Sequence, residues 1–427
     1  MHFKSPDREM IHYILGSVLF VVSLVCAEDF SAQREEVLAL GKLTAPPNMM
    51  AVEGYEREGR LQAIYFNALN YEGKLTKVFA WLGFPEERKG KVPGIVLVHG
   101  GGGTAFKQWV KKWNDHGYAA ISIAVEGQTD VRNATAKDQD NPSGWQRHAW
   151  AGPRRIGIYG DSDEPLKDQW MYHAVADTIL ANSLLRSLPG VDEGKVGVMG
   201  ISWGGVITST VIGIDQRFAF AIPTYGCGHL FDTANQYGRA LGKNELYRHV
   251  WDPMMRINRA ELPVLWLSWP QDQHFPMDCL AACYHAAPGP HLVTLIPGMG
   301  HGHGAGWNQP DSYAFAESVI LDGKPWCSQI STRANGASLE VVFSSSKALD
   351  RAVLISTIDA GFTGNRKWIE SPARLQQMDG QWVVTARLPN ETTACFVNVK
   401  AGNLTVSSEY VELELDTGTT NTLLEER

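Results

Sequence analysis

Three short segments carry residue types suited to nucleophilic chemistry. The first is Gly200-Ile201-Ser202-Trp203-Gly204-Gly205, which follows an apolar, β-rich run at 195–199 and precedes an apolar helical stretch at 203–212. A Gly-x-Ser-x-Gly pentapeptide between strand and helix makes a sharp turn that lifts a serine hydroxyl to the edge of a sheet. Glycines flank the serine because that turn leaves no room for larger side chains. The N–H of Trp203, at the helix start, points where an oxyanion would form. Read blandly, the same residues are a glycine-rich turn with a capping serine. The strand before and the helix after favour the nucleophile.

A serine alone is a weak nucleophile and needs a base and a group to orient that base. In this strand–turn–helix setting the chain order is Ser, then Asp or Glu, then His. Asp272 follows an apolar run at 263–268, and His301 follows one at 291–296, within Pro297-Gly298-Met299-Gly300-His301-Gly302. Both fall where loops leave the C-terminal ends of strands, the face on which ligands bind in α/β sheets. Asp278 competes with Asp272 but falls inside the following helix. His303 is the alternative base; Gly-Met-Gly before His301 suits the tight turn that swings a ring over the serine. The His-x-His pair also raises a metal site. Nothing nearby marks the third ligand that a catalytic zinc needs, so no metal is expected.

The remaining segment is His99-Gly100-Gly101-Gly102-Gly103, directly after the run 95–98. Glycines let the backbone approach a ligand and turn its N–H groups inward, as in the His-Gly-Gly-Gly oxyanion loops. Gly101 is the first choice of donor and Gly102 the second. A phosphate loop is the rival reading, but its closing Lys-Ser/Thr is absent. His99 reads as structural.

The elements that must position these groups are legible as alternation. Residues 61–68 and 75–84 form an antiparallel pair. Short apolar runs at 93–98, 118–125, 195–199, 218–223, 263–268 and 291–296 then alternate with helical stretches at 106–116, 168–188, 203–212, 277–286 and 312–321. Such alternation implies an α/β fold with a mostly parallel sheet and helices on both faces. Residues 126–167 and 226–260 are long insertions of the functional-loop kind. After Trp326 the texture changes to short alternating runs, which reads as a small all-β, sandwich-like C-terminal domain. The expected division is a signal peptide at 1–27, a catalytic domain at 28–325 and a β domain at 326–427.

Composition bounds the rest. The chain has 427 residues, 44% of them hydrophobic and 20% charged, which suits a large globular core. Net charge is −8 with no basic stripe, so no nucleic-acid partner is expected. Residues 11–27 are apolar and uncharged after Lys4 and Arg8, and Val25-Cys26-Ala27 reads as a cleavage site. An uncleaved anchor is the alternative. Cleavage after Ala27 would leave a secreted or periplasmic protein with no membrane segment. It would also leave the odd set Cys227, Cys279, Cys283, Cys327 and Cys395, in which a bridge from Cys279 or Cys283 to Cys327 is conceivable. Asn133, Asn390 and Asn403 begin N-x-T sequons.

With these residues in place, the chain resembles the α/β-hydrolase superfamily over residues 60–325. The likeness is to the branch of dienelactone hydrolases, acetyl xylan esterases, cephalosporin C deacetylases and prolyl-oligopeptidase-type domains. It rests on Lys195-Val196-Gly197-Val198-Met199-Gly200 leading into Ser202, on Glu126-Gly127-Gln128 where the deacetylases carry Arg-Gly-Gln, and on His301-Gly302-His303-Gly304. The chain departs from the deacetylases at Trp203, at Gly302 and at Gly101, where they carry Gln, Glu and Tyr. The resemblance implies a serine hydrolase of carboxylic esters that needs no cofactor. Ser202, Asp272 and His301 would be its triad and Trp203, Gly101 and Gly102 its oxyanion donors. A small-molecule or polysaccharide ester, with a short acyl group on carbohydrate, is the expected substrate. Trp145, Trp150, Tyr159 and Trp170, in and beside the first insertion, are candidate sugar-stacking residues or loop packing. Rival readings are a prolyl-oligopeptidase-like peptidase and a non-catalytic carbohydrate-binding surface protein. Oligomeric state is not legible.

Overall fold

A run that is apolar at consecutive positions can leave neither face in water, so such runs belong in a sheet covered on both sides. A computed structural model of the protein describes residues 29–87, 89–414 and 422–423. The expected signal peptide at 1–27 lies outside the described residues. Helix α1 (Ser31–Ala39) and strand β1 (Met49–Ala51) lead into the antiparallel pair β2 (Leu61–Asn67) and β3 (Lys77–Gly83). The alternating part follows as β4 (Val92–Val98), α2 (Lys107–Asp115) and β5 (Ala119–Ile123). A small hairpin in the first insertion, β6 (Gln128–Arg132) with β7 (Trp145–Arg147), precedes α3 (Trp170–Ser187), β8 (Val191–Ile201), α4 (Trp203–Val211) and β9 (Ala221–Thr224). The second insertion carries α5 (Gln236–Leu241). The core closes with β10 (Val264–Ser268), α6 (Met277–Ala286), β11 (His291–Leu295), α7 (His303–Trp307) and α8 (Pro310–Asp322).

In space the strands run β1-β2-β3-β5-β4-β8-β9-β10-β11. From β5 to β11 every neighbouring pair is parallel. β5 and β9 are buried at every position, so both faces of the sheet are covered. Helix α3 is buried almost all round because it lies between the sheet and the N-terminal segment; Ser183 Oγ donates to Leu43 O at 2.6 Å. This is the mostly parallel sheet with helices on both faces that the alternation of runs implied. β4, β8, β10 and β11 end at the same edge of the sheet, with β9 between β8 and β10, and each releases one of the four site loops.

The C-terminal residues form two antiparallel sheets. One is ordered β12 (Cys327–Asn335), β13 (Ser338–Ser345), β17 (Gln381–Arg387), β16 (Arg374–Met378). The other holds β14 (Arg351–Thr357), β15 (Ile369–Pro372), β18 (Ala394–Ala401) and β19 (Leu404–Ser407), and it extends the central sheet edge to edge, β19 lying antiparallel to β11. β20 (Val411–Glu414) pairs with β18. Val341, Phe343 and Val384 from the first sheet and Leu354 and Phe396 from the second are fully buried. The small domain is therefore a continuation of the central sheet, which avoids the open edge that β11 would otherwise present. Side chains tighten the seam. Asn398 Nδ2 donates to Leu295 O at 2.9 Å, and Leu295 N donates to Ser407 Oγ at 2.7 Å.

The turn at Thr363–Asn365 reaches further, to the loop after β10 that carries Asp272. A Cβ on Gly364 would lie 2.5 Å from the Asp272 carbonyl oxygen, and Thr363 Oγ1 accepts from Met277 N at 3.1 Å. The five described cysteines are free thiols, all buried. The bridge to Cys327 considered from sequence is not formed; Cys283 Sγ instead accepts from Gly228 N at 3.0 Å.

Truncation at Lys324 would strip β19 from β11 and remove the Gly364 brace. We expect the truncated chain to aggregate on size-exclusion chromatography and to lose hydrolysis of a small soluble ester. A monodisperse core with full turnover would contradict the role given to this seam.

Candidate active site

Ser202 occupies a left-handed turn between β8 and α4, with φ 59° and ψ −120°. A non-glycine residue held at such φ costs on the order of 1–3 kcal/mol, and the surroundings must impose it. They do so by close backbone contact. A Cβ on Gly200 would lie 1.9 Å from Gly204 O, and one on Gly204 would lie 2.0 Å from Val98 O. Ser202 N donates to Thr224 O at 2.9 Å. The turn is thus pinned to β4 on one side and β9 on the other.

His301 spans the gap between the serine and the acid. Its Nε2 lies 3.0 Å from Ser202 Oγ, and its Nδ1 lies 2.8 Å from Asp272 Oδ2. With Nδ1 protonated, Nε2 is free to accept the serine proton. Asp272 is fully buried. Its carboxylate is nevertheless well solvated by protein: Trp269 Nε1 donates to Oδ2 at 3.1 Å, and the N–H groups of His274 and Phe275 donate to Oδ1 at 2.8 and 3.0 Å. The imidazole is packed from several directions. Phe275 stacks on it at 5.7 Å between ring centroids, and Tyr225 lies at 4.5 Å. Tyr225 Oη donates to Gly300 O at 2.9 Å, fixing the turn before His301.

The glycine loop after β4 is held by the first insertion. Trp145 Nε1 and Ser143 Oγ donate to Gly102 O at 2.9 and 2.8 Å, and Gln128 Nε2 donates to Gly103 O at 2.9 Å. Gly102 has φ +69°, which few other residues would tolerate. His99 lies beneath the loop, and its Nε2 accepts from Val125 N at 3.1 Å. Burial pushes its pKa down to about 3, so it stays neutral. His303 faces this loop and not the serine: its Nε2 accepts from Gly100 N at 2.9 Å, and burial pushes its pKa down to about 4. The alternative base of the sequence analysis is thus engaged with the backbone of the glycine loop.

A cavity of about 590 Å³ opens over Ser202 and is lined by Gly101, Gly102, Trp203, Tyr237, His301 and His303, among others. Of the four candidate stacking residues, none lines it. Trp170 and Tyr159 are buried packing, with Trp170 Nε1 donating to Val125 O at 2.7 Å. Trp145 supports the glycine loop from behind. Trp150 is exposed but packs against Tyr65 and Lys77, near the β2–β3 edge. Their correction has one cause: an aromatic in an insertion serves whichever surface the insertion folds onto. Tyr237 from α5, packed on Trp203 at 5.6 Å, supplies the aromatic wall instead. Sequence reasoning also missed Arg155, His274 and Tyr225. His274, two residues from Asp272, carried a positional signal; Tyr225 and Arg155 carried none. Among the described residues no cluster of three or more His, Cys, Asp or Glu side chains could hold a metal.

The family model for acetyl xylan esterases (AXE1) matches residues 25–247, more than half of the chain. The matched stretch holds the glycine loop and Ser202 and ends before Asp272. Among solved structures, the chain is similar to an acetyl xylan esterase from Paenibacillus sp. R4, at 21% identity and TM-score 0.51, covering 65% of this chain and 90% of that one. It is also similar to acetyl xylan esterase 1 from Thermoanaerobacterium sp. JW/SL YS485, at 19% identity and TM-score 0.49, with coverage of 65% and 90%. A third likeness is to the acylaminoacyl peptidase of Pyrococcus horikoshii, at 18% identity and TM-score 0.45, covering 61% of this chain and 42% of that one. The first of these likenesses is one of fold.

The His303–Gly100 contact makes a pH-dependent difference measurable. Relative to its ordinary 6.5, the folded-state pKa near 4 means that the unfolded chain binds this proton more tightly. Its contribution to stability is fully present above pH 6.5 and is lost as pH falls through 4. We expect His303→Leu, which leaves Gly100 N–H without its acceptor, to cost about 1–3 kcal/mol near pH 8. The gap to wild type should narrow on acidification through that window. Denaturant titrations across pH would check it; a gap that stays constant from pH 8 to pH 4 would refute the assignment.

Proposed function

Since the chain belongs to the acetyl xylan esterase family, we propose that it hydrolyses short acyl esters, foremost acetyl groups, on carbohydrate. The hydrogen-bonded series Ser202 Oγ, His301, Asp272, opening into one cavity, carries this reading. In it Ser202 Oγ attacks the ester carbonyl carbon as His301 Nε2 takes its proton. The carbonyl π pair moves to oxygen, and the N–H groups of Trp203 and Gly101 receive the oxyanion. Trp203 N–H is suited to this because the first N–H groups of a helix lack intrahelical acceptors. Collapse expels the alkoxide, which takes the proton from His301. Water, activated by the same imidazole, then releases the acid from the acyl-serine. Asp272 holds the tautomer and stabilises the imidazolium without itself taking the proton. No cofactor enters this scheme.

Several features support the carbohydrate part of the reading. The cavity mixes polar and apolar lining and falls within the usual size range of small-ligand sites, roughly 300–1,000 Å³. Tyr237 offers an aromatic face beside Ser202. An export signal at 1–27, as read from the sequence, would place the protein with extracellular or periplasmic polymer. The intact hydrogen-bond series weighs against a vestigial, purely binding role.

Ser202→Ala should abolish ester turnover by several orders of magnitude while leaving the thermal midpoint close to wild type. A panel of acetylated xylo-oligosaccharides, longer-chain esters and peptide amides would test the substrate class. Turnover of acetylated sugars well above that of amides is expected. Preferential cleavage of peptide amides, or wild-type-like activity in Ser202→Ala, would refute the reading.

A further inference from the structure

Arg155 is the one lysine or arginine lining the Ser202 cavity among the described residues. It lies in the first insertion, and its side chain is 15% exposed. Its three nitrogens face different surroundings. Nε lies 3.5 Å from Glu126 Oε1, and Nη1 donates to Gly157 O. Nη2 has no acceptor among the described residues, and it lies 2.8 Å from the point where a Cβ on Gly101 would sit. Trp203 Cδ1 lies 3.4 Å from that same point. The guanidinium therefore lies beside both residues that offer oxyanion N–H groups. Its plane is held by aromatic faces, with Cζ 5.5 Å from the Trp203 ring centroid and 5.9 Å from that of Trp170.

A buried arginine beside a nucleophile could serve an anionic substrate or a charge that appears only during reaction. The surroundings favour the second. Glu126, only 12% exposed, already opposes the Arg155 charge in the resting protein. The cavity also exposes the Asp140 carboxylate, which accepts from Gly157 N at 2.9 Å and lies 3.8 Å from Arg154 Nη2 outside the lining. The site thus has no standing excess of positive charge to attract an anion. It retains Nη2, whose N–H groups have no acceptor among the described residues, next to the oxyanion loop.

We propose that Arg155 is a further catalytic residue whose Nη2 donates a third hydrogen bond to the tetrahedral oxyanion, beside the N–H groups of Trp203 and Gly101. The proposal rests on the Ser202 esterase reading. No proton leaves Arg155 in the step; the carbonyl oxygen gains its charge from the π pair displaced by Ser202 Oγ, and Nη2–H donates to it. Arginine suits the position better than lysine. Its planar fork can hold Glu126 and Gly157 O while still presenting a fixed donor.

The test uses the full chain, p-nitrophenyl acetate as a neutral ester, and circular dichroism to confirm folding. Arg155→Met should lower kcat about 100-fold, the usual effect of removing one oxyanion donor, with KM within about threefold of wild type. Arg155→Lys should fall between the two. Arg155→Gly should recover turnover as free guanidinium is added, which a merely structural role would not produce. The proposal is overturned if folded Arg155→Met or Arg155→Lys keeps wild-type kcat, or if guanidinium restores nothing to folded Arg155→Gly. Losses confined to KM, or to esters bearing a carboxylate, would also overturn it and assign Arg155 to substrate binding. Ser202→Ala separates the two levels. If it stays active, the esterase reading fails; if it is dead while Arg155→Met is fully active, only the Arg155 proposal fails.

Discussion

The strained turn at Ser202 is the constraint on which the rest of the site depends. A serine with φ 59° holds that conformation only because backbone meets backbone on both sides. Val98 O, at the end of β4, approaches Gly204, and Thr224 O, at the end of β9, accepts from Ser202 N. Neither contact exists unless β4, β8 and β9 are in parallel register. The sheet is thus the device that keeps one hydroxyl out of its preferred geometry and in front of an imidazole.

The same sheet brings the other groups to that hydroxyl. The loops after β4, β8, β10 and β11 all leave at one end of the parallel run β4-β8-β9-β10-β11. The glycine loop, the serine, the aspartate and the histidine are therefore neighbours despite lying up to about 200 residues apart in sequence, as Gly100 and His303 do. Two of these loops are then locked from outside the alternating core. Trp145, Ser143 and Gln128 from the first insertion fix the glycine loop. The C-terminal turn around Gly364 packs on the backbone of Asp272. Catalytic geometry is in this sense distributed: insertion and β domain support residues that the core alone would leave on mobile loops.

Electrostatics follows burial. His99 and His303 are kept neutral by desolvation, so each can accept a backbone N–H without introducing charge beneath the glycine loop. Asp272 is equally buried but accepts N–H groups from His274 and Phe275 as well as from Trp269 and His301. Those donors replace the water that an ionised carboxylate would lose on burial.

Local sequence determined what depends on short-range pattern. The alternation of apolar runs with helical stretches specified a parallel α/β sheet, since the period of burial is written into consecutive residues. The glycines around Ser202 specified a tight strand-to-helix turn, and Gly100 to Gly103 specified a loop that lets backbone approach a ligand. Chain order singled out Asp272 and His301, which the hydrogen bonds join to Ser202. What only the tertiary structure decided are choices between chemically equivalent residues. His301 and His303 are histidines two residues apart where the loop after β11 enters α7, and only the position of Ser202 against that of Gly100 separates them. Trp145, Trp150, Tyr159 and Trp170 looked alike as candidate stacking residues, yet Tyr237, from the other insertion, faces the cavity. The β domain looked like an appended module, but β19 pairs with β11 and continues the catalytic sheet. Such outcomes depend on which surfaces distant segments bury against one another. No window of neighbouring residues contains that information, because the apolar and hydrogen-bonding partners of a side chain are set by the fold as a whole.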